Sequence, residues 1–325
     1  MTPLVSIVMA AYQAERHLAA ALDSALAQTY PAIEIIVVND GSTDSTPRIL
    51  ESYQTNFGIT VLEQPNSGQS AALNHGLTRA RGDYIKFFDA DDILAPESIT
   101  IQVAALASHP SDRLAYGQWA RFHTDPAEAV FIPRPGDLDA APLDWLLATW
   151  ADAEPMYQCA LWLIPRTLIT RTRAWDERLG LINDFEFFTR LALASGGIIH
   201  TPGARLYYRS GLPGSLSQQT SRRALESAYL SCRLATEHLL NHENSPRTRR
   251  AAADALMTFV QGYYPAAPDL MRSALTSINQ LGGSNIRPGG GRVLKLISRF
   301  LGWRFALRIR KLVRRLNCPP RSDHA

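Results

Sequence analysis

Short apolar runs alternate with amphipathic segments through the first hundred residues. Four runs have the length of strands, and they are VSIVMA (5–10), EIIVVND (34–40), ITVLEQ (59–64) and DYIKFF (83–88). Three segments between them have helical spacing or capping residues, and they are RHLAAALDSALAQ (16–28), GSTDSTPRILESY (41–53) and QSAALNHGLTRA (69–80). Because strands and helices alternate at this pitch, we expect right-handed crossovers and an α/β fold with a mostly parallel sheet flanked by helices.

The pattern is less regular beyond residue 100. Residues 112–165 predict strands and loops that cover the rim of the sheet. We expect Trp145, Trp150 and Trp162 to lie in the core, although one of them could instead stack on an acceptor sugar. An amphipathic helix is predicted to start near Asp184, and residues 206–219 predict a strand followed by a flexible loop. The C-terminal helices are predicted over residues 220–241, 246–262 and 267–281.

Polar residues follow each of the four predicted strands. The groups are Ala11-Tyr12, Asn39-Asp40-Gly41, Asn66-Ser67-Gly68 and Asp89-Ala90-Asp91-Asp92. Because ligands of parallel sheets bind at the carboxyl ends of the strands, we expect these groups to meet at one rim and form a binding site.

Asp89 and Asp91 place two carboxylates together after a strand, with the side chain between them turned away. Hard oxygen ligands of this kind suit Mg²⁺ or Mn²⁺, which keep open positions for phosphate oxygens. The alternative is that the acids cap the next helix, a role that Asp92 is suited to. Similarly, Asp40 could accept a hydrogen bond from a nucleobase beside a stacked Tyr12, or it could belong to an ordinary turn.

Composition and charge restrict the class of protein. With 325 residues, 46% of them hydrophobic and 19% charged, the chain is typical of globular proteins. The three widely spaced cysteines argue against a disulfide framework, and we expect reduced thiols in the cytosol. The apolar start is too short for a signal peptide, and no run reaches the roughly 18 residues of a membrane span.

The first segment resembles the family 2 glycosyltransferases of the GT-A fold. The similarity is carried by VSIVMAAYQAERHLAAALDSALAQTYPAIEIIVVNDGSTDST, NSGQSAALNHGL and RGDYIKFFDADD, and it extends sparsely to about residue 217. The resemblance implies that Asp40 and the loop from Ala10 through Ala11 to Tyr12 hold the base of a sugar nucleotide. It also implies that Asp89 and Asp91 bind ribose, diphosphate and metal.

The family's catalytic base corresponds to Asp184 in INDFEFFTRL, where Asn183 replaces the usual Glu. Inverting transfer needs one carboxylate to take a proton from the acceptor hydroxyl, and Glu186 is the second candidate for that base. We further expect Asn66 and Gly68 to line the donor site. Arg209 would reach the diphosphate from a closing loop, although it could equally be a surface residue.

The C-terminal segment from residue 292 carries ten Lys/Arg and one Asp, a net charge of +9 in a chain of net charge +3. Arg304, Arg308, Lys311 and Arg315 fall on one helical face and six apolar residues on the other, with Trp303 at the boundary. This pattern predicts an interfacial helix that binds an anionic membrane surface through residues 292–316. Two alternatives explain less of the pattern. Binding to nucleic acid would not require the apolar face, and docking of the helix on the protein itself would not require the arginines.

The predicted organisation is a GT-A domain over 1–219, a helical extension over 220–283, a linker over 284–291 and the basic tail over 292–325. Within the GT-A domain, 1–100 would bind the nucleotide and 101–219 the acceptor.

We expect a metal-dependent inverting glycosyltransferase, peripheral on the inner face of the cell membrane, that uses Mn²⁺ or Mg²⁺. Its donor would be a nucleotide sugar, in particular a UDP-sugar, and its acceptor a glycan or lipid-linked hydroxyl in cell-surface polysaccharide biosynthesis. One alternative is a catalytically weak or inactive scaffold of the same fold, which Asn183 indicates. Another is a nucleotidyltransferase, but such an enzyme would need a basic Gly-rich loop near the N-terminus, and this sequence has none there.

Overall fold

The computed structural model describes residues 2–151, 157–212, 216–286, 300 and 302–309. The first part of the chain alternates strand and helix as predicted. Its elements are β1 (Val5–Ala11), α1 (Leu18–Leu26), β2 (Ile33–Asp40), α2 (Thr46–Phe57), β3 (Thr60–Gln64), α3 (Gln69–Arg79) and β4 (Tyr84–Asp89). The central strands β1, β2 and β4 are buried along most of their length, which is why they read as apolar runs in the sequence.

The second part completes the sheet with strands of mixed direction. Its elements are β5 (Ile93–Leu94), α4 (Ser98–Ala107), β6 (Leu114–Phe122), α5 (Pro142–Trp150), β7 (Trp162–Pro165), α6 (Arg166–Thr172), α7 (Asn183–Ala194), β8 (Ile198–Arg209) and α8 (Arg222–His242). The described strands form an eight-stranded sheet in the order β3-β2-β1-β4-β7-β6-β8-β5. Strands β1 to β4 pair in parallel, whereas β7 runs antiparallel to β4 and β6. The predicted α/β sheet is therefore confirmed.

The region 112–165 contributes more to the interior than the prediction of strands and loops over the rim implied. Strand β6 lies inside the sheet between β7 and β8, and α5 is a regular helix that begins at Pro142. Trp145, Trp150 and Trp162 are buried, as predicted. The rings of Trp145 and Trp162 pack against each other with centroids 5.1 Å apart. This aromatic packing holds α5 against β7.

The chain divides into two compact units, residues 1–244 and residues 245–325, so α8 belongs to the first. In the second unit, α9 (Pro246–Tyr263) packs against α10 (Pro268–Gln280), and residues 303–309 are helical. The predicted boundary at residue 219 stays a prediction. Most of the predicted linker and tail lies outside the described residues. No helix in the described part of the chain is long and apolar enough to cross a bilayer.

Candidate active site

Strand register brings the ends of β1 to β4 to one rim of the sheet. Ala10 on β1 lies opposite both Val38 on β2 and Asp89 on β4, and Ala11 lies opposite Asn39. Asp40 at the end of β2 lies opposite Gln64 at the end of β3. The four polar groups singled out in the sequence therefore share one edge, which is the topological position where open α/β sheets bind ligands.

Asp40 is almost fully buried and organises the loop that follows β3. Its Oδ1 accepts hydrogen bonds from Gln64 Nε2 (2.7 Å) and the Ser67 backbone N–H (2.8 Å), and its Oδ2 accepts one from the Gly68 N–H (2.9 Å). A carboxylate offers about four lone-pair positions, so one position on Oδ2 has no donor among the described residues and can accept from a ligand. Asp40 thus fixes the shape of the loop 66–68 and keeps one acceptor free.

The first loop lies against the loop after β2. The Gln13 N–H donates to Ser42 Oγ (3.0 Å), and the Thr43 N–H donates to Gln13 Oε1 (2.7 Å). Gln13 occupies the left-handed region with φ 51°. Ala11 is buried, whereas the Tyr12 side chain is 53% exposed. The two loops therefore hold the Tyr12 ring in solvent at the rim, where it is free to stack on a ligand.

Gly41 permits a close approach between two of these loops. Its φ is +73°, and a Cβ at this position would lie 2.7 Å from the Asn66 backbone nitrogen. Any other residue would push the Asn66 loop away from the end of β2. The exposed Asn66 and the partly buried Gly68 thereby sit next to Asp40 at the rim.

The acid cluster consists of Asp89, Asp91 and Asp92, and one carboxylate oxygen of each lies within 4.8 Å of the others. Pairing of β5 with β8 brings this segment beside Arg209, the last residue of β8. Asp92 is completely buried, and its Oδ1 accepts from the Arg209 backbone N–H (2.8 Å). Asp92 is therefore a third member of the cluster, in addition to the pair predicted from the sequence.

Burial raises the pKa values of all three carboxyl groups, and their mutual repulsion raises those of Asp91 and Asp92 further. The pKa of Asp91 rises to about 7, first through burial and then through the charge of Asp89. Burial and the charges of Asp91 and Asp89 raise the pKa of Asp92 well above its ordinary value. Burial also raises the pKa of Asp89, and the charge of Asp184 adds to that effect. The surroundings of the cluster therefore do not supply enough positive charge to stabilise all three carboxylates in their ionised forms.

The acid cluster fits a divalent cation. It offers only oxygen ligands, which Mg²⁺ and Mn²⁺ prefer. Within the described part of the chain, no side chain donates a hydrogen bond to the Asp91 carboxylate, so its oxygens are available. Asp89 and Asp92 are held more firmly because amide groups donate to them. Asp91 is therefore the residue best placed to ligate an ion, with Asp89 beside it.

Two glutamine side chains that the sequence analysis did not single out hold the cluster. Gln158 Nε2 donates both to Asp89 Oδ2 (2.8 Å) and to Asp92 Oδ2 (2.7 Å). Gln69 Nε2, at the start of α3, donates to Asp89 Oδ1 (2.8 Å). Gln158 is buried and its own Oε1 accepts from the Ala160 N–H (2.7 Å), which fixes the amide orientation. No spacing rule marks an isolated glutamine in a sequence, so neither residue could have been found from the pattern.

Lys86 supports the turn that carries Gln158. Its buried ammonium group donates to the Ala160 carbonyl (2.7 Å) and to Gln102 Oε1 (2.8 Å). Burial lowers the pKa of Lys86 to about 7. Gln102 also donates to the Leu161 carbonyl (2.8 Å), so the turn is held from two sides. A lysine inside the apolar run YIKFF was a visible signal of a buried polar contact.

Arg209 is buried rather than part of a mobile surface. Its Nε donates to the Asp91 carbonyl oxygen (2.8 Å), and its guanidinium group lies 4.4 Å from the centroid of the Phe122 ring. Arg209 therefore lies beside the acid cluster, at the point where β8 ends. Residues 213–215 of the predicted closing loop lie outside the described residues, and the contact with a diphosphate stays a prediction.

Asp184 lies in the first turn of α7, one residue after Asn183, and is half-buried. Burial raises the pKa of Asp184 to about 6, although the backbone N–H groups at the start of α7 partly oppose that rise. The contribution of Asp184 to the pKa of Asp89 indicates that the two carboxylates share one electrostatic environment. Asp184 is thus ionised near neutral pH and has no cationic partner in the described part of the chain.

Asn183 connects the start of α7 to the start of α3. Its Nδ2 donates to Ser70 Oγ (3.0 Å) and Gln69 Oε1 (3.2 Å), and its Oδ1 accepts from the Asp184 N–H (3.0 Å). The preceding residue, Ile182, is in the left-handed conformation with φ 50°. Asn183 therefore positions Asp184 relative to α3 through contacts that an uncharged amide satisfies.

Glu186, the second candidate for the base, is bound inside the protein. It accepts from Arg190 Nε (2.7 Å) and lies 2.9 Å from His238 Nε2 on α8. Burial alone would raise the pKa of Glu186, but the hydrogen bonds from His238 and Arg190 lower it below its ordinary value. A carboxylate that is paired in this way is a poor proton acceptor, so the geometry favours Asp184 over Glu186 as the base.

Residues 6–134 match the model of the protein family described as glycosyl transferase family 2. An uncharacterized glycosyltransferase of Rickettsia typhi is 32% identical over 195 residues, which cover 60% of each chain. The glycosyltransferase GlyA of Streptococcus pneumoniae is 35% identical over 120 residues, which cover 37% of this chain and 17% of GlyA. The chain thus spans about three fifths of the rickettsial relative and a smaller share of GlyA.

Comparison with solved structures extends over nearly the whole chain. TarS of S. aureus in complex with UDP-GlcNAc has a TM-score of 0.70 at 18% identity, covering 95% of this chain and 92% of TarS 1-349. The mannosyltransferase PcManGT of Pyrobaculum calidifontis in complex with GDP-Man and Mn²⁺ has a TM-score of 0.55 at 17% identity, covering 97% and 88% of the two chains. The predicted GT-A fold and the predicted family resemblance are both confirmed.

Proposed function

We propose that this chain is a metal-dependent glycosyltransferase that inverts the anomeric configuration of the sugar it transfers. Its residues 6–134 match glycosyl transferase family 2. The donor is a nucleotide sugar, in particular a UDP-sugar. Proteins of the same fold support this choice, since TarS was solved with UDP-GlcNAc and with UDP, and PcManGT with GDP-Man and Mn²⁺.

The observation that carries the proposal is the acid cluster at the rim of the sheet. Its pKa values are raised because burial and mutual repulsion disfavour the charged forms. Perturbed carboxylates that converge at the ligand-binding edge are typical of functional sites. Folding alone gives no reason to collect them there, whereas binding of a cation with a diphosphate does.

Asp91 and Asp89 are the residues that would hold Mn²⁺ or Mg²⁺. When bound there, such an ion would neutralise the charge that develops on a leaving diphosphate. Gln158 and Gln69 keep Asp89 oriented through its two oxygens. The guanidinium group of Arg209 is the nearby cation suited to phosphate geometry.

The nucleoside would bind along the ends of β1 and β2. The free lone pair on Asp40 Oδ2 can accept an N–H of the base, and the exposed ring of Tyr12 can stack on it. Ala10 and Ala11 contribute their backbone, and Asn66 and Gly68 close the other side of the site. Because Asp40 also holds the 66–68 loop, base binding and loop shape depend on one carboxylate.

Asp184 acts as the base in this proposal. With a pKa of about 6, its carboxylate is mostly ionised at neutral pH and still basic enough to take a proton from an acceptor hydroxyl. The hydroxyl oxygen forms the new bond to the anomeric carbon while the nucleoside diphosphate leaves from the opposite face. One base is sufficient for this inverting displacement.

The acceptor is a hydroxyl of a glycan or lipid-linked molecule in cell-surface polysaccharide biosynthesis. The enzyme would act in the cytoplasm, peripheral on the inner face of the membrane, through the basic tail of residues 292–316. A variant with Arg310, Lys311, Arg314 and Arg315 changed to Glu is expected to lose sedimentation with anionic vesicles at low salt. Unchanged sedimentation of this tail-charge variant would reject the membrane partner.

A screen of nucleotide sugars by thermal stability tests the donor and the metal together. A UDP-sugar is expected to raise the melting temperature in the presence of Mn²⁺, because a ligand that binds the folded state stabilises it by mass action. Asp91→Ala and Asp89→Ala should remove the metal-dependent part. Equal binding of nucleoside diphosphate with and without metal, unchanged in both variants, would reject the proposal.

The alternative function is a scaffold of the same fold that binds nucleotide sugar without transferring it. Asn183 at the position of the family's Glu is the observation in its favour. Release of UDP from the donor in the presence of Mn²⁺, with or without an acceptor, distinguishes the enzyme from the scaffold. Because Asn183 already makes the contacts that orient Asp184, we favour the enzyme.

A further inference from the structure

A groove of about 510 Å³ lies in the second unit, where residues 303–309 pack beside α10. Its apolar wall includes Tyr264, Met271, Leu275 and Trp303. The volume is within the range of small-molecule binding sites in proteins, about 300–1,000 Å³. The groove therefore has room for a ligand with a substantial apolar part.

The helical segment 303–309 is docked on the protein. The Trp303 ring packs edge-on against Tyr264 with centroids 5.5 Å apart, and Ala306 and Leu307 are buried. This corrects the expectation that the whole apolar face of the tail is available to a membrane. Phe305 remains 45% exposed and lines the groove, so only part of that face can contact a ligand.

Three arginines border the same groove: Arg272 on α10, and Arg304 and Arg308 on the docked segment. All three are exposed, and none forms an ion pair within the part of the chain that the structure describes. Arg304 lies over the Trp303 ring at 5.4 Å. No acidic side chain lines the groove among the described residues, although Asp269 lies nearby in the first turn of α10. Docking of the segment 303–309 does not explain why three arginines without acidic partners in the described ranges border one groove. An anion bound in the groove would explain it.

We propose that this groove binds one anionic phospholipid of a bilayer. The guanidinium groups of Arg272, Arg304 and Arg308 would contact the phosphate, and the hydrocarbon chain would lie along Met271, Leu275 and Trp303. The inference deepens the proposed membrane association and rests on it. It assigns the lipid contact to a formed site in the second unit, and the further cations of the tail add attraction to the anionic surface.

Tryptophan fluorescence with brominated lipids can test this directly, because Trp303 is one of six tryptophans and the other five are buried. Bromine on an acyl chain quenches only rings that it approaches closely. Vesicles of brominated phosphatidylglycerol should quench the full chain, and Trp303→Phe should remove most of the quenching while binding persists. Equal quenching in Trp303→Phe would overturn the proposal, because the site would then lie elsewhere.

Charge variants test the head-group contacts. Each cation near an anionic surface contributes on the order of 1 kcal/mol, so Arg272→Gln should weaken vesicle binding about fivefold and Arg272→Gln with Arg308→Gln about 25-fold. Arg233→Gln, which removes an exposed cation of α8, is the matched control and should leave binding nearly unchanged. Circular dichroism verifies that each variant is folded.

Three outcomes separate this inference from the broader membrane proposal. If the tail-charge variant loses binding and both groove variants retain it, the groove assignment is overturned and the membrane proposal stands. In a competition assay, the protein is first bound to brominated phosphatidylglycerol vesicles. If millimolar inorganic phosphate or a single-stranded oligonucleotide releases it as effectively as unlabelled anionic vesicles do, the ligand of the groove is not a lipid. Binding to neutral brominated phosphatidylcholine as strong as to phosphatidylglycerol would overturn the role of the arginines.

Discussion

Two groups of buried carboxylates in the first unit, Glu186 and the acid cluster, differ in whether a cation is built in beside them. Glu186 contacts Arg190 and lies against His238, and these hydrogen bonds lower its pKa. In the acid cluster, Asp91 and its neighbours have raised pKa values, because burial is opposed mainly by amide donors. Arg209 lies beside the cluster, but its Nε is bonded to a backbone carbonyl.

The difference separates a structural use of buried charge from a functional one. Where the chain supplies the countercharge, as around Glu186, the interaction is complete on folding and links α7 to α8. Where the countercharge is lacking, the folded state must retain protons or acquire a cation. Glu186 and Asp184 lie two residues apart on α7 and fall on opposite sides of this division, so substitutions at both positions give the most direct tests.

The largest effect is expected for Asp184→Asn, which removes the base and leaves the fold intact. Transfer should fall about 10²–10⁴-fold, the range typical of general base catalysis, while nucleotide binding is unchanged. In the parent protein, kcat/KM should fall about tenfold per pH unit below pH 6, because the pKa of Asp184 is about 6 and only the ionised form accepts a proton. Steady-state kinetics between pH 4.5 and 8 measure both, and retained turnover in the variant would move the base elsewhere.

Glu186→Ala should destabilise the protein by about 3–5 kcal/mol, because it leaves the largely buried guanidinium group of Arg190 with backbone carbonyls but without a countercharge. Urea denaturation measures the change, and transfer per folded molecule should stay within a fewfold of the parent. Arg233→Ala, which removes an exposed i,i+4 pair on α8, is the control, with a cost below about 1 kcal/mol. A loss of transfer without a loss of stability would instead make Glu186 the base and erase its contrast with Asp184.

Asp91→Asn should stabilise the metal-free protein and abolish stabilisation by Mn²⁺. Ionisation of Asp91 in the fold is disfavoured, since its pKa is about 7 against an ordinary 3.8. The metal-free parent should therefore lose stability as pH rises from about 4 to 7, and the variant should lose less of it. At pH 8 the gain is about 2–4 kcal/mol, from about 1.4 kcal/mol per pKa unit with allowance for coupling to Asp89.

The Asp91→Asn variant should differ from the parent in two opposite ways: its stability without metal should be higher, and its stabilisation by Mn²⁺ should be lower. Thermal unfolding with chelator and with Mn²⁺ plus UDP, each at pH 5 and pH 8, gives the four values that are needed. A variant that is less stable without metal would indicate that Asp91 serves the fold, and the acid cluster would then resemble the surroundings of Glu186.

The sequence predicted the first four strands of the fold closely. Strands β1, β2 and β4 lie in the interior of a parallel sheet, so their apolar runs were unmistakable, and the observed ends differ from the predicted ones by one residue or so. Helix α5 and strand β6 were harder to predict. Gly117 and Gln118 interrupt the apolar pattern of β6, and α5 is only nine residues long.

The site was predictable where chemistry lies in short motifs and unpredictable where it depends on long-range contacts. Asp40, Asp89 and Asp91 follow strands directly, so topology alone brought them to one rim. The partner of Asp92 is the backbone of Arg209, 117 positions away, and Gln158 reaches Asp89 across 69 positions. Arg190 was one helical turn from Glu186 in the sequence, but His238 was visible only in the fold.

The smallest effect, and the finest test of the contrast, is expected at Gln158. Gln158→Leu removes the amide that bridges Asp89 and Asp92, so two buried carboxylates lose a donor at once. We expect a loss of about 1–3 kcal/mol at pH 8, which shrinks as the pH falls, because protonated carboxyl groups need the donor less. Gln69→Leu removes a donor to Asp89 alone and should cost less over the same pH range. Mn²⁺ should restore part of the stability of Gln158→Leu, because a cation replaces the missing donor, and isothermal titration of Mn²⁺ with UDP measures that recovery. A loss that is independent of pH and of Mn²⁺ would mean that Gln158 serves only its own turn through the Ala160 N–H, and that the acid cluster keeps its arrangement without it.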